Sequence, residues 1–472
     1  MATRVNVQYA ANEDPRKFGR FTLRFQDSSG QEICRLLKFD FQPLWEFARD
    51  IESEAFDVLI MAMIVYNTDR VLNRYLYSTD GWRREICIED IPAKNRLRMQ
   101  QAKLQFEDAI CFLTGDAWEL NFVDAPDYHF EGEMHTDYEL QEYKKVALFS
   151  GGMDSLIGFV DSVSELTDGE KILLVSHTDL GKEASDQNHI LEYCREHGLY
   201  SGKYEQLQFG VGIVRNYTGE KIAYESTFRS RSLLFFAAGI YVAHHISNEM
   251  PLIVPENGTI SLNIPLDEGR RSACSTRTTH PTFMRKLQRA FVMVGIHNLL
   301  ENPYRLQSKA EMVSECCTNE EKKEILRQLY PLSCSCAKRG HNRFWDKEGQ
   351  QIHEDHITHC GMCLPCLYRR VALDSADWDN ARYVGTDVLH GRDYNLNNRV
   401  QKRTWDFNAL LGFISRRMNE NVIRTELIIN GIRDERELDE YTQLAMRSYE
   451  QVRAWVKKKA PQAISNRIPD AN

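Results

Sequence analysis

Apolar residues change their spacing along this chain, and each change marks an element. Phe21–Phe25 (FTLRF) and Ile33–Phe41 (ICRLLKFDF) read as strands. Trp45, Ala48, Ile51, Ala55, Val58, Leu59 and Ala62 recur at helical spacing with Pro43 just ahead, which predicts a helix over Trp45–Val65. Arg84–Ile91 alternates as a strand, Ala93–Leu113 reads as a helix closed by Gly115, and Ala117–Val123 reads as a strand. The next segment, Asp124–Glu139 (DAPDYHFEGEMHTDYE), is acidic and turn-rich with few apolar residues, the composition of an interdomain linker.

From Lys145 the pattern is different. Val146–Phe149, Ile172–Val175 and Ile253–Val254 are short and wholly apolar, and helical patterns such as Ser155–Leu166 and Ser185–His197 lie between them. Buried apolar strands alternating with helices predict an α/β unit, a parallel sheet with helices on both faces. Beyond about Asp374 the chain reads as polar helix and ends at Lys457–Lys459 ahead of Pro461. The expected organisation is an N-terminal α+β domain (1–142), an α/β domain (143–332), a metal-binding segment (333–375) and a C-terminal helical region (376–472). No internal repeat or low-complexity tract is visible.

Composition narrows the function. With 472 residues, 42% hydrophobic and 27% charged, the chain is long enough for about three folding units of ordinary globular character. A formal charge of −9 argues against a sequence-independent grip on nucleic acid. The longest strongly apolar run, Leu233–Ala243, is far short of the roughly 20 residues of a membrane span. The first residues lack a signal-peptide core, so a cytoplasmic location is expected. Twelve cysteines are too few for a disulfide scaffold, yet five crowd between Cys334 and Cys366.

Two motifs carry chemistry. In KKVALFSGGMDSLIGF a strand runs into Ser150-Gly151-Gly152-Met153-Asp154-Ser155 and a helix follows. Glycines let the backbone approach a ligand, and free N–H groups at a helix start form an anion site suited to phosphate. Ser150 and Ser155 add hydroxyls; Asp154 orients the loop or helps hold Mg²⁺. This is not the GxxxxGK[ST] loop of ordinary NTPases. A strand-to-helix turn with ordinary caps uses the same residue types, so it is the complete SGGxDS context that points to phosphate. The second motif, Cys360-Gly-Met-Cys363-Leu-Pro-Cys366, brings three thiolates to the spacing of a tetrahedral Zn²⁺ site. Cys334, Cys336 and the histidines His341, His353, His356 and His359 are candidates for a fourth ligand. A closed four-ligand site is a structural staple.

SGGxDS resembles the pyrophosphate loop of the PP-loop ATP pyrophosphatases, and its pairing with C-x2-C-x2-C-x2-R (Cys360 to Arg369) is similar to the layout of the 7-cyano-7-deazaguanine synthase (QueC) family. Asp179-Leu180-Gly181, Ser230-Arg231-Ser232, Asn302-Pro303, Lys309-Ala310-Glu311 and Leu332-Ser333-Cys334 are similar in order to further segments of that family. The last match makes Cys334 the preferred fourth ligand. The resemblance covers about residues 144 to 375. Lys182 and Ala184 depart from it, as does the segment Pro255–Pro281, and both ends of the chain are additions. That architecture is similar to QueC-like proteins of bacterial antiviral operons, the QatC and type IV CBASS branches.

The resemblance implies a PP-loop fold and ATP-dependent activation of 7-carboxy-7-deazaguanine, with transfer to the N-terminal amine of a partner protein. The alternatives are nitrile synthesis with ammonia and a non-catalytic nucleotide-binding scaffold. It also implies roles. Ser150, Gly151, Gly152, Met153, Asp154, Ser155 and Asp179 would hold ATP, and Asp154, Arg231 and Lys309 would serve catalysis. Ser308–Glu311 equally fits a helix capping box. Glu256, Asn257, Arg277 and His280 are candidates for the substrate, with Arg277 clamping its carboxylate; STRTTHP also reads as a polar loop with helix caps. Asp69, Arg70 and Arg84 would recognise the acceptor or form a buried ion pair.

Overall fold

Strands with one or both faces apolar find their partners in a single sheet. The computed structural model describes residues 2–11, 19–27, 29–78, 80–128, 138–178, 181–214, 224–267, 277–337, 359–381, 383 and 405–469. Its strands are β1 (Thr3–Ala10), β2 (Arg20–Gln26), β3 (Glu32–Asp40), β4 (Glu85–Ala93), β5 (Ala117–Asp124), β6 (Tyr143–Leu148), β7 (Lys171–Thr178), β8 (Tyr204–Ile213), β9 (Leu252–Ile253) and β10 (Leu300–Glu301). They form a ten-stranded sheet in the order β10-β9-β6-β7-β8-β3-β2-β1-β4-β5. The neighbours β8-β3, β3-β2 and β2-β1 are antiparallel and the rest are parallel. The protein is thus α/β with a mostly parallel sheet. The pairing of Leu37–Asp40 with Gly210–Ile213 carries that sheet across the boundary expected at residue 142. Residues 129–137 of the expected linker lie outside the described residues.

The helices of the N-terminal part are α1 (Gln42–Ala48), α2 (Glu54–Val71), α3 (Arg74–Tyr77), α4 (Arg96–Gln101) and α5 (Lys103–Thr114). The helix expected over Trp45–Val65 is two helices, because Arg49 takes a left-handed φ of 49° and Ser53 Oγ caps α2 by accepting from Phe56 N–H. Helix α2 is buried on nearly every side, which is why no polar stripe marks it. The helix expected over Ala93–Leu113 likewise starts later and divides at Ala102 into α4 and α5.

The remaining described α-helices are α6 (Met153–Ser164), α7 (Gly181–Glu196), α8 (Arg231–Ile246), α9 (Gly258–Leu262), α10 (Pro281–Val294), α11 (Lys309–Cys316), α12 (Glu320–Leu329), α13 (Leu364–Ser375), α14 (Trp405–Gly412), α15 (Glu420–Ile429), α16 (Glu435–Lys459) and α17 (Gln462–Ser465). Helix α8 packs on α2 and β6, and α6, α11, α12 and part of α13 share a second core with β6 and β7. A third core joins α13 to α14, α15 and α16, the helical region read from sequence. Among the described residues, no helix is long and apolar enough to cross a membrane.

One buried carboxylate makes a testable statement about this packing. Asp57 accepts from the backbone N–H of Lys94 at 2.8 Å and of Asn95 at 2.7 Å, yet its pKa is pushed up to about 6, by burial above all. Between its unfolded pKa near 4 and about 6 the folded state therefore holds more protons than the unfolded one. Stability conferred by this group is present below pH 4 and is lost as pH rises to 6, by on the order of 3 kcal/mol. Chemical denaturation of wild type and Asp57→Asn at pH 4, 5, 6 and 7 checks it: the wild-type-minus-variant difference is expected to fall through that window and stay flat above it.

Candidate functional site

Strand β6 has β7 on one side and β9 on the other, so the chain order reverses there. At such a reversal in a parallel sheet the connections leave in opposite directions and open a crevice beyond the strand ends. A cleft of about 540 Å³ lies at that point, lined by Leu148 at the end of β6, by Val254–Glu256 after β9, and by residues of α6, α8 and α11. The Ser150–Ser155 turn forms one wall. Gly151 takes a positive φ of 77°, and a Cβ there would stand 3.1 Å from Gln187 N, so the turn requires glycine. Ser155 Oγ donates to Gly152 O at 3.0 Å and accepts from Ser150 N–H at 3.2 Å, closing the turn on itself. Gly152, at the N-cap of α6, supplies no side-chain cap.

Buried charges meet beside the turn. Asp154 Oδ1 lies 2.7 Å from Lys309 Nζ, and Asn257 Nδ2 donates to Asp154 Oδ2 at 2.8 Å. Burial opposes ionisation of Asp154, but the Lys309 ammonium and hydrogen bonds from Glu256, Lys309 and Asn257 hold its pKa below the usual range. The carboxyl of Glu256 goes the other way, raised well above its ordinary value by burial and then by the Asp154 charge. Lys309 fills both roles read from sequence. It is the first residue of α11, whose capping box joins Ser308 and Glu311, and it delivers its ammonium to Asp154. Asn257 is fully buried, and its Oδ1 caps α9 by accepting from Ile260 N–H; it orients Asp154 and does not line the cleft.

The opposite wall belongs to α8. Its first residue, Arg231, lines the cleft and donates from Nε to His177 Nδ1 at 3.3 Å. Burial, then the charges of Arg231 and Arg70, hold His177 neutral with a pKa well below the usual value. The N-terminal part of the chain anchors this helix. Asp69 Oδ2 accepts from Ser230 Oγ at 2.5 Å and Ser230 N–H at 3.2 Å, while Arg84 bridges Asp69 and Asp116 with no exposed side chain among the three. Asp69 and Arg84 are thus a buried ion pair, the structural one of the two roles expected. Arg70 stacks its guanidinium over Phe228, 4.2 Å from the ring centre, behind an aromatic wall completed by Phe235 and Phe236.

The sulfurs of Cys336, Cys360, Cys363 and Cys366 lie within 4.8 Å of one another. Cys360 Sγ and Cys366 Sγ are 3.8 Å apart, about the edge of a tetrahedron with 2.3 Å zinc–sulfur bonds. The backbone N–H groups of Met362 and Cys363 both donate to Cys360 Sγ, an arrangement that favours a thiolate there. These four residues can hold a metal ion such as zinc. The fourth member is Cys336, not Cys334. Cys334 N–H is committed to Gly151 O at 2.9 Å, which keeps that residue at the turn, and two residues further on Cys336 reaches the cluster and accepts from Cys360 N–H. His359 Nε2 accepts from Ser335 N–H at 3.2 Å. His341, His353 and His356 lie outside the described residues, as does Asp179.

Two expected substrate contacts do not reach the cleft. Arg277 donates to Phe112 O at 2.9 Å and Asn430 Oδ1 at 3.2 Å, and it stacks on the Phe112 ring. His280 is buried at the N-cap of α10, where Nδ1 accepts from Thr282 N–H at 3.1 Å; burial pushes its pKa down to about 3. Their neighbours Thr278 and Thr279 line the cleft instead. Sequence reasoning also passed over His177, Ser335, Asp186 and the three phenylalanines. Of these, Ser335 is set between two cysteines, and Phe228 and Phe235 flank the Ser230-Arg231-Ser232 segment.

Fold and site define an α/β protein with a mostly parallel sheet, a cleft at its strand-order reversal and a four-cysteine set suited to a metal ion. No family model, curated protein or solved structure matches the chain.

The choice of fourth ligand has a direct readout. Cys336→Ser is expected to leave purified protein with well under one zinc per chain by elemental analysis, whereas Cys334→Ser keeps one. The reverse pattern would restore Cys334 as the ligand.

Proposed function

We propose that the chain is a QueC-like, PP-loop ATP-dependent ligase that activates the carboxylate of 7-carboxy-7-deazaguanine and transfers it to an amine, the N-terminus of a partner protein in antiviral defence. The observation that carries this reading is the composition of one cleft. A glycine turn with two serine hydroxyls, two cations on separate helices and a pair of neighbouring carboxylates all face the same space.

A carboxylate is a poor acyl donor until its oxygen becomes part of a leaving group. In the proposed reaction a substrate carboxylate oxygen attacks the α-phosphorus of ATP. The bond to the β-phosphate breaks, and pyrophosphate departs with the electron pair. An amine nitrogen then attacks the acyl carbon, the carbon–oxygen bond to AMP breaks, and the nitrogen gives up a proton. The turn at Ser150–Ser155 binds the departing phosphates through N–H and hydroxyl groups, and Arg231 and Lys309 offset the charge that develops on them. Mg²⁺, when bound, adds charge neutralisation at the phosphate oxygens, and Asp154 with Glu256 is the carboxylate pair suited to hold it. Glu256 fits that task because a cation would replace the proton it holds beside Asp154. Phe228, Phe235, Phe236 and Ile260 offer an apolar slot to a planar ring, with Ser232, Thr278 and Thr279 for its polar edge.

Purified protein with ATP and Mg²⁺ is expected to release pyrophosphate only when 7-carboxy-7-deazaguanine is present. Lys309→Ala is expected to lower that rate by about 100-fold. The intact mass of a co-expressed partner should rise by the acyl group. Pyrophosphate release with ammonia and no change in partner mass would replace ligation by nitrile synthesis. Silence with every substrate would leave a nucleotide-binding scaffold.

A further inference from the structure

Helix α6 begins at a glycine that cannot cap it, yet its first N–H is not left open. Met153 N–H donates to Ser335 Oγ at 3.2 Å, so the cap comes from a residue far along the chain. Ser335 lines the cleft, and it precedes Cys336, a member of the sulfur cluster. Its segment is clamped on several sides. Arg369 of α13 donates to Ser333 Oγ at 2.8 Å and Tyr330 O at 2.7 Å, His359 Nε2 accepts from Ser335 N–H, and Cys334 N–H holds Gly151 O. One short piece of backbone, Cys334–Cys336, therefore touches the glycine turn at its start and supplies a member of the metal set at its end.

We infer that Ser335 is a further phosphate-binding residue and the link between metal and phosphate sites. With the cleft empty its oxygen takes the place of an anion at the start of α6, accepting from Met153 N–H. When a phosphate oxygen arrives, Met153 N–H turns to the anion and the Ser335 hydroxyl donates to it, so the serine changes from substitute to ligand. Metal at Cys336, Cys360, Cys363 and Cys366 fixes where that hydroxyl stands. Because each site then stabilises the arrangement the other requires, the coupling is reciprocal: metal tightens phosphate binding, and phosphate slows metal loss. This inference rests on the phosphate reading of the Ser150–Ser155 turn and extends it to a residue outside the motif.

Isothermal titration with ATP and Mg²⁺ on zinc-loaded wild type, Ser335→Ala and Ser335→Thr tests the ligand role. Zinc release to a zinc-selective dye, with and without ATP, tests the link. Ser335→Ala is expected to keep one zinc per chain and to bind ATP roughly 10-fold more weakly, while Ser335→Thr recovers most of the affinity. ATP is expected to slow zinc release severalfold in wild type and to leave it unchanged in Ser335→Ala. Wild-type affinity and wild-type ATP-dependent zinc retention in Ser335→Ala would overturn the inference. A wild-type protein that binds no ATP would instead overturn the phosphate reading on which it stands. Poor folding of Ser335→Ala, detected by thermal unfolding, moves the decision to Ser335→Cys: its thiol is a weak donor, so an affinity equal to wild type counts against the inference and a severalfold loss supports it.

Discussion

A carboxylate removed from water needs a countercharge, and at Asp154 that requirement draws three segments together. Its position at the start of α6, just beyond the central strand β6, buries it at the strand-order reversal. Lys309 supplies the charge from α11, Asn257 supplies a donor from the connection after β9, and the carboxyl of Glu256 beside it is pushed well above its ordinary pKa by burial and by the Asp154 charge. Leaving either member of a buried pair alone costs about 3–5 kcal/mol, so the group holds the segments in place as firmly as they hold it. The cleft beside this group opens where the connections leave the strand-order reversal in opposite directions.

Legibility in the sequence follows the range over which each feature is decided. The SGGxDS turn and the Cys360, Cys363, Cys366 series were readable because a strand, a glycine turn and a helix start, or thiols three residues apart, are local facts. Cys334 and Cys336 were not separable, since they flank one serine and the choice falls to Gly151, whose carbonyl holds Cys334 N–H. Arg277 and His280 show the same limit from the other side. Their residue types suit a carboxylate ligand, but Thr-Thr-His-Pro is also a helix start, and the partners Phe112 and Asn430 that take Arg277 lie far away in the chain. Lys309 needed no choice, because a residue that follows an N-cap projects its side chain away from the cap's hydrogen bonds. Among strands, β1, β8 and β10 escaped notice: β1 sets Val5, Val7 and Tyr9 in a polar run, β8 contains Gly210 and Gly212, and β10 is only two residues long. The parallel sheet was expected; its continuation into the N-terminal strands depends on a β3–β8 pairing that no local pattern announces.

The two cations of the cleft stand on helices that are each braced by a part of the chain lying outside the α/β unit. Helix α8, with Arg231, is held at its start by Asp69, whose charge is offset by Arg84, a cation it shares with Asp116 in a fully buried set. Helix α11, with Lys309, is held by α16: Ser308 Oγ donates to Gln451 Oε1 at 2.6 Å, and Arg447 Nε donates to Glu311 Oε1 at 3.0 Å. These contacts fall on the cap residues of the two helices, where small rotations move the following side chain most. Both ends of the chain therefore act on the geometry of the cleft. A cation that must neutralise a developing charge contributes only if it is already in place when the charge appears, because moving it at that moment would cost as much as it returned. If the proposed reaction holds, helix α2 with the residues just ahead of β4 and β5, and helix α16, would serve it by keeping the two cations in place.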